Sequence, residues 1–493
     1  YIELRWEARF LSFETYGLNG LAGDQLNYGQ WRGRAYMTDH KNMQSRVEIS
    51  VVGLGRIGLP LALVAADSGY VVHGIDANPE VIRNLAAGKP LFSEPEMDIL
   101  LRKHLHTRFL PTTDDAPLVT SAFIVVTVST GVIDQPGSVN LEGLEGLMRS
   151  IARKDLRGKT IILRSTVPIG TTDRCKDLLE SESGLHCGSD FHIGYCPERV
   201  VEGAAVREER TLPKVIGAYD DAGFTSIASF FQPIGGEIIR VSSPRTAELV
   251  KLANNAYRST LFGFANDLAT LADTIGVDVL EAISAANANY PRSHIPRPSC
   301  GVSGYCLTKD PYILEDAFEP VASARGFRSV WYYARMTNDW MPRYAVHLAL
   351  EELAAIGKGT GPSRVLVAGV TFKGDVDDVR YSHGVAIVRS LLAERPEFRI
   401  GIYDPFIETG TDAPYHGLPP DLCGKVEIFN SFGDALRSQD AVIFTVPHRE
   451  FVESHPSEWA GSLALPAVVI DGWNIYHRKM FPSTIRYRGI GHA

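Results

Sequence analysis

The chain has no run of 18 consecutive apolar residues, which leaves no candidate for a membrane-spanning helix. Its start lacks a basic region followed by an apolar run, so no secretory signal is legible. It lacks a basic surplus: 49 Lys and Arg stand against 58 Asp and Glu, a formal net charge of −9. That balance argues against a nucleic-acid protein and leaves room for a local basic pocket around a phosphorylated small molecule. Cysteine is scarce. None of Cys175, Cys187, Cys196, Cys300, Cys306 and Cys423 lies in C-x-x-C spacing or beside a histidine cluster. Neither a zinc site nor a disulfide framework is expected, and reduced thiols fit a cytoplasmic protein. What remains is ordinary globular composition, 45% hydrophobic and 22% charged over 493 residues, enough for two to four domains.

Residues 1–45 carry scattered aromatics (Trp6, Phe10, Phe13, Trp31) with no period. Residues 1–36 read as an appended leader or as a packed arm, with Met37 a natural start before the first strand. From 46 to 243 short β-rich runs alternate with helical segments: strands at 47–53, 71–76, 123–129, 160–166, 193–197 and 213–218, helices at 59–69 and near 140–153. This alternation predicts a doubly wound parallel sheet. Near 244 the texture becomes helical, with apolar residues at helix spacing from Thr246 to about Ile275 and a second helical stretch at 329–356. An irregular loop is expected at 288–312. Strands return at 364–370, 398–404, 425–429, 441–446 and 467–471. The expected division is a leader (1–45), an α/β domain (46–243), an all-α central domain with a long helix (244–356) and a second α/β domain (357–493).

The first strand runs into VVGLGRIG, where Gly53, Gly55 and Gly58 stand in G-x-G-x-x-G spacing. The motif follows a strand, opens a helix, and is trailed by Asp76 at the end of the next strand. Gly53 allows the tight turn, Gly55 lets backbone approach a pyrophosphate at the helix N-terminus, and Gly58 lets helix and strand pack closely. Asp76 can accept from ribose hydroxyls and would repel a 2′-phosphate, which favours NAD over NADP. The second α/β domain shows no such glycine ladder. Its first strand is followed by VTFKGDVDDVR (370–380), in which Lys373 and Arg380 offer charge for a phosphate; a solvated turn explains it equally well.

Cys306 lies in CGVSGYCLTKDPYIL, with glycines before it and Lys309 and Asp310 after it. A nearby cation would lower its pKa and make it a nucleophile, although most cysteines are core residues. Lys251 and Asn255 are four apart and share a helix face. They are either cleft groups, the lysine holding an oxyanion or acting as a base if its pKa falls, or ordinary surface residues. STVPIGTT (165–172) and CPERVVEG (196–203) follow strands at their carboxyl ends, where open α/β sheets bind ligands, which places Thr166 and Glu198 within reach of a reacting group.

Read in order, VVGLGRIGLPLA, STVPIGTT, CPERVVEG, AELVKLANNAYR (247–258), NYPRSHIP (289–296), GYCLTKDP (304–311), GVTFKGDVDDVR (369–380), YDP (403–405) and VIDGWNIY (469–476) resemble the nucleotide-sugar 6-dehydrogenase family over residues 46–480. The resemblance implies two Rossmann-like domains joined by the helical one. It implies a four-electron, NAD-dependent oxidation of a UDP-sugar's primary alcohol to a carboxylate through a cysteine thiohemiacetal and thioester. Carried over, Cys306 is the nucleophile, Lys251 and Asn255 stabilise oxyanions, Asp310 handles the hydrolytic water, and Thr166 and Glu198 order it. Gly53, Gly55, Arg56, Ile57, Gly58, Asp76, Thr130 and Thr166 meet the cofactor. Glu198, Arg199, Lys251, Lys309, Lys373 and Arg380 meet the substrate, with Arg292 supplied by a neighbouring subunit. A homodimer or larger oligomer through the central helix is expected.

Three departures stand out. VSTG (128–131) replaces V-P-T-P, keeping Thr130; Ser303 replaces a glycine before the cysteine, where a positive φ would be strained; and Trp473 replaces a basic residue. PRSHIP and CPERVVEG resemble the UDP-N-acetylmannosamine branch, whose product feeds polysaccharide synthesis. The alternatives are a UDP-glucose 6-dehydrogenase, a two-electron dehydrogenase of the hydroxyacid type that has no need of Cys306, and a catalytically silent nucleotide-sugar-binding protein.

Overall fold

The computed structural model describes residues 47–134, 138–407 and 417–492. The expected leader lies outside the described residues. Eight strands build the first sheet: β1 (Glu48–Val52), β2 (Val71–Ile75), β3 (Phe109–Thr112), β4 (Phe123–Val126), β5 (Thr160–Leu163), β6 (His192–Tyr195), β7 (Lys214–Ala218) and β8 (Ile238–Val241), in the order 8-7-6-5-4-1-2-3. The run 3-2-1-4-5-6 is the doubly wound order, with its switch point between β1 and β4. One part departs from an all-parallel sheet: β7 runs antiparallel to β6, and β8 pairs parallel with β7. The two added edge strands therefore point opposite to the rest.

The central strands are apolar because both faces are covered. Helices pack on each side, with Leu59, Leu61, Phe230 and Phe231 in one core and Leu144, Ile151, Leu179 and Val215 in the other. Helix α1 (Gly58–Asp67) starts directly after the glycine turn.

Helix α2 (Pro244–Ile275) is 32 residues long. Ser243 caps its start by accepting from Thr246 N, Pro244 fits the first turn, and Gly276 ends it at φ +69°. Helix α3 (Asp310–Arg325) and helix α4 (Val330–Ala355) pack against it. The segment expected as an irregular loop at 288–312 ends at Asp310, where α3 begins.

The second sheet holds β9 (Arg364–Ala368), β10 (Arg399–Tyr403), β11 (Glu427–Ile428), β12 (Ala441–Phe444), β13 (Ala467–Asp471) and β14 (Ile485–Gly489), all parallel, in the order 11-10-9-12-13-14. This is again 3-2-1-4-5-6. Met341, Ala345 and Leu348 of α4 share one core with Val365, Val367 and Ile470 of this sheet, so the helical region forms one of its covering layers. Helix α5 (His383–Glu394) covers the same face.

Candidate active site

The carboxyl edge of the first sheet supplies a dinucleotide cradle. Gly53 stands at φ +95°, and its N–H donates to Ile75 O at 2.8 Å. A Cβ on Gly58 would overlap the Gly53 carbonyl oxygen, whereas a Cβ on Gly55 would meet nothing within 4 Å. Gly58 is therefore needed for packing, and Gly55 leaves open space at the helix start, where a pyrophosphate needs it. Asp76 is half-buried and accepts from Leu54 N at 2.8 Å and Asn78 N at 2.9 Å, which aims its carboxylate at the edge of the cradle. Ile57 occupies the N-cap position of α1. These residues fit NAD.

Arg56 of the same loop is engaged elsewhere. Its guanidinium pairs with Glu202 at 3.1 Å and Asp377 at 2.8 Å, approaches Asp378 at 3.5 Å, and lies over the Phe92 ring. It ties the cofactor loop to the segment after β9. Burial raises Glu202 to about 7 against the pull of Arg56.

The long helix presents a buried polar seam at helix spacing: Glu248, Lys251, Asn255, Ser259 and Asn266. Lys251 Nζ donates to the Glu198 carbonyl at 2.5 Å and lies 3.3 Å from its carboxylate. Asn255 Nδ2 donates to Asp310 Oδ2 at 2.6 Å, and Lys309 Nζ lies 3.2 Å from Asp310 Oδ1. Cys306 sits in the turn leading to Asp310, whose N–H donates to the Cys306 carbonyl at 3.0 Å. Lys251, Asn255, Glu198, Cys306, Lys309 and Asp310 thus converge. Burial would lower both lysines, but the Glu198 and Asp310 carboxylates hold Lys251 above its ordinary value, and Asp310 does the same for Lys309. Lys251 is an ammonium and not a base.

The expectation of a lowered thiol pKa is overturned. Burial and then Asp310 push Cys306 up to about 11, and Lys251 and Lys309 oppose this without reversing it. At neutral pH Cys306 is a thiol.

The cleft's other wall is the strand-end loops. Thr130 Oγ1 donates to the Thr166 carbonyl at 2.6 Å, and Ser165 Oγ to the Val128 carbonyl at 2.7 Å. Tyr305 OH donates to the Thr130 carbonyl at 3.0 Å and lies 3.0 Å from Ser129 Oγ. Arg380 and Lys309 both lie over the Tyr305 ring, at 5.1 and 4.9 Å. Arg380 donates to the Asp378 carboxylate from Nη2 at 2.6 Å, from Nε to both oxygens at 3.0 Å and from its backbone N at 2.9 Å. Lys373 donates to the Glu202 carbonyl at 3.1 Å. Two expected substrate residues are not in this group. Arg199 donates to the Pro213 carbonyl at 2.6 Å, and Arg292 is exposed over the ring of Tyr290.

The departures turn out to be built in. Positive φ occurs at Gly301 and Gly304, not at Ser303, whose hydroxyl donates to the Phe372 carbonyl at 3.2 Å. Ser129 makes a contact with Tyr305 that a proline could not. Trp473 donates its indole N–H to the Thr445 carbonyl at 2.7 Å. Sequence reasoning missed the supports. Glu248 accepts from Gly170 N, Thr172 N and Thr172 Oγ1, fixing the loop that carries Thr166. Arg335 donates to the Val302 and Leu307 carbonyls, while Asn338 Oδ1 accepts from Val302 N and from Asn266 Nδ2, fastening the cysteine loop to two helices. Only Glu248's place three residues before Lys251 hinted at this.

The chain belongs to the UDP-glucose/GDP-mannose dehydrogenase family: its NAD binding domain model matches residues 47–235, its central domain 245–339 and its UDP binding domain 366–478. It is an NAD-dependent UDP-sugar dehydrogenase. UDP-N-acetyl-D-mannosamine dehydrogenase of Pyrococcus horikoshii is 33% identical over 90% of this chain and 99% of that protein. NDP-N-acetyl-D-galactosaminuronic acid dehydrogenase of Ralstonia nicotianae is 33% identical over 82% of this chain and 91% of its own. A solved structure of UDP-D-ManNAc dehydrogenase from Pyrococcus horikoshii aligns at a TM-score of 0.78 with 31% identity, covering 90% of this chain and 99% of that one.

Proposed function

We propose that the substrate is a UDP-N-acetylhexosamine, N-acetylmannosamine first, oxidised at its 6-hydroxymethyl to the uronate. The observation that carries the chemistry is the convergence of Cys306 with Lys251, Asn255, Glu198, Lys309 and Asp310. The names of relatives at 33% identity, with the PRSHIP and CPERVVEG segments, support the N-acetylated sugar.

The cradle of Gly53, Gly55, Gly58 and Asp76, with Thr130 and Thr166 along its edge, would hold NAD, which supplies a hydride acceptor for each of two oxidations. A carboxylate of Asp310 or Glu198 takes the alcohol proton, and the Lys251 ammonium and Asn255 amide steady the alkoxide that forms. The Cys306 sulfur then adds to the aldehyde carbon while the thiol proton passes to the carbonyl oxygen, giving a thiohemiacetal. Holding the intermediate on Cys306 keeps the sugar in place for the second oxidation to a thioester. Water adds to the thioester carbon, a carboxylate of Asp310 or Glu198 takes its proton, and the thiol leaves. Lys373 and Arg380 bring positive charge to the diphosphate.

The proposed domain limits are 46–243, 244–356 and 357–493. A homodimer through the long helices completes the reading. Tyr257, Phe264, Leu271 and Ile275 of α2 are exposed at steps of seven and four residues, and Val330, Tyr333, Met336 and Trp340 of α4 at steps of three and four. Arg292, exposed on the loop before the cysteine, would serve the neighbour's site. NAD supply and free thiols are consistent with a cytoplasmic enzyme.

A panel of UDP-sugars tests the substrate. The expected result is a kcat/KM for UDP-N-acetylmannosamine at least about tenfold above that for UDP-glucose, since a pocket built to bond the acetamido group rejects a sugar without it. The reverse order would make the chain a UDP-glucose enzyme.

A further inference from the structure

The second sheet repeats a device of the first. Gly369 follows β9 at φ +92°, and its N–H donates to Tyr403 O at 2.7 Å, as Gly53 does to Ile75. A Cβ on Gly384, in the first turn of α5, would press on the Gly369 carbonyl oxygen, as one on Gly58 would on that of Gly53. The Thr445 hydroxyl donates to the Gly369 carbonyl, as Thr127 does to that of Gly53. Asp404 follows β10 as Asp76 follows β2, and each accepts from the residue after the turn glycine: Val370 N at 2.7 Å, Leu54 N at 2.8 Å. The second domain therefore carries a stretched dinucleotide fingerprint, against the expectation of none.

Two differences redirect it. Gly53 and Gly58 are five residues apart in sequence, and Gly369 and Gly384 are fifteen. The added chain forms a strap, 370–380, that runs into the cleft. Its Phe372 packs on Gly304, and its Asp377 and Asp378 engage Arg56 and Arg380. Second, the Asp404 carboxylate is buried and fully committed. Oδ2 accepts from Val370 N and from Thr371 N at 2.9 Å, and lies 3.1 Å from both Thr371 Oγ1 and His448 Nε2; Oδ1 accepts from Phe406 N at 2.9 Å. Asp375 N donates to His448 Nδ1 at 3.0 Å, so the ring proton sits on Nε2, facing Asp404. An acid so occupied cannot also receive ribose hydroxyls. Both ends of its network close on the strap, at Val370–Thr371 and at Asp375.

We propose that Asp404 and His448 are positioning residues for nucleotide-sugar binding: a ribose-type carboxylate turned inward to anchor the strap that presents Lys373 and Arg380 to the substrate diphosphate. The proposal rests on the reading of those two cations as substrate contacts. A misplaced strap weakens diphosphate binding; it meets the cofactor loop at Arg56, while the glycine turn and Asp76 that shape the cradle keep hydrogen bonds within the first sheet.

Steady-state kinetics and NAD binding of Asp404→Asn, His448→Ala and His448→Gln test it, with melting temperatures confirming the fold. Asp404→Asn and His448→Ala are expected to raise KM for the UDP-sugar by about tenfold, with kcat within about threefold and the Kd for NAD within about twofold. His448→Gln restores an N–H near the Nε2 position and is expected to recover most of the KM. If a folded His448→Ala leaves KM unchanged, or NAD affinity falls in parallel, or glutamine gives no recovery, the proposal is overturned. Lys373→Ala and Arg380→Ala separate the two claims. If neither raises KM, the substrate reading falls and the anchoring role with it; if they raise it and Asp404→Asn does not, the anchoring role alone falls. Should Asp404→Asn not fold, the alanine and glutamine forms of His448 decide.

Discussion

Around Cys306 two lysines and two carboxylates pull the thiol in opposite directions, and burial decides the contest. With the thiol at about 11, little thiolate exists at neutral pH. Alkylation of Cys306 by iodoacetamide at pH 8 is expected to run on the order of ten- to a hundredfold slower than that of an ordinary cysteine, and to keep rising past pH 10. Lys251→Met removes an ammonium that favours the thiolate, so its alkylation should be slower still. A rate that levels off below pH 8 would show a pre-formed thiolate. Within the sequence the chemical residues were legible: Cys306, Lys251, Asn255 and Asp310 stand in motifs whose order survives. The direction of the thiol's shift was not, because it depends on burial and on Asp310 standing against the lysines.

At the scale of elements, buried strands and long helices could be read to within three residues at each end, since continuous apolar runs and helix-period stripes are strong signals. β3, β8 and β14 were missed. Each is an edge strand in which polar or proline residues are half-buried or exposed (FLPT, IIRV, IRYRG), so neither period dominates. The reversal of β7 was equally hidden, because pairing direction leaves no trace in a short apolar run. The stretched glycine fingerprint of the second sheet escaped for a different reason: the strap separates glycines that the fold brings together. One stabilising cluster was also invisible. Arg164 at the end of β5 pairs with Glu209 at 2.6 Å, and Lys214 of β7 pairs with the same carboxylate at 3.1 Å, all three buried. Glu209→Gln leaves two buried cations short of a counter-charge. It is expected to cost about 3–5 kcal/mol, read as an earlier urea midpoint. An unchanged midpoint would mean that water compensates the charges.

At the scale of the molecule, both sheets contain the 3-2-1-4-5-6 order, and the strap of the second joins the cofactor loop of the first through Arg56. The cofactor loop and the substrate strap are thus in direct ionic contact. That matters for an enzyme that must exchange its nucleotide while the sugar stays attached. The exposed stripe on α2 predicts a dimer: Phe264→Glu is expected to shift the light-scattering mass from about two chains to one, since a buried charge there has no partner. A monomeric parent protein would remove that reading and the role given to Arg292. The central claim is that the sugar remains on Cys306 through two oxidations. The most direct test is the number of NADH molecules formed per UDP-sugar consumed. The account predicts two, with uronate as the product and no NADH accumulating with Cys306→Ser beyond the aldehyde stage; a ratio of one, with Cys306→Ser turning over as fast as the parent, would contradict it.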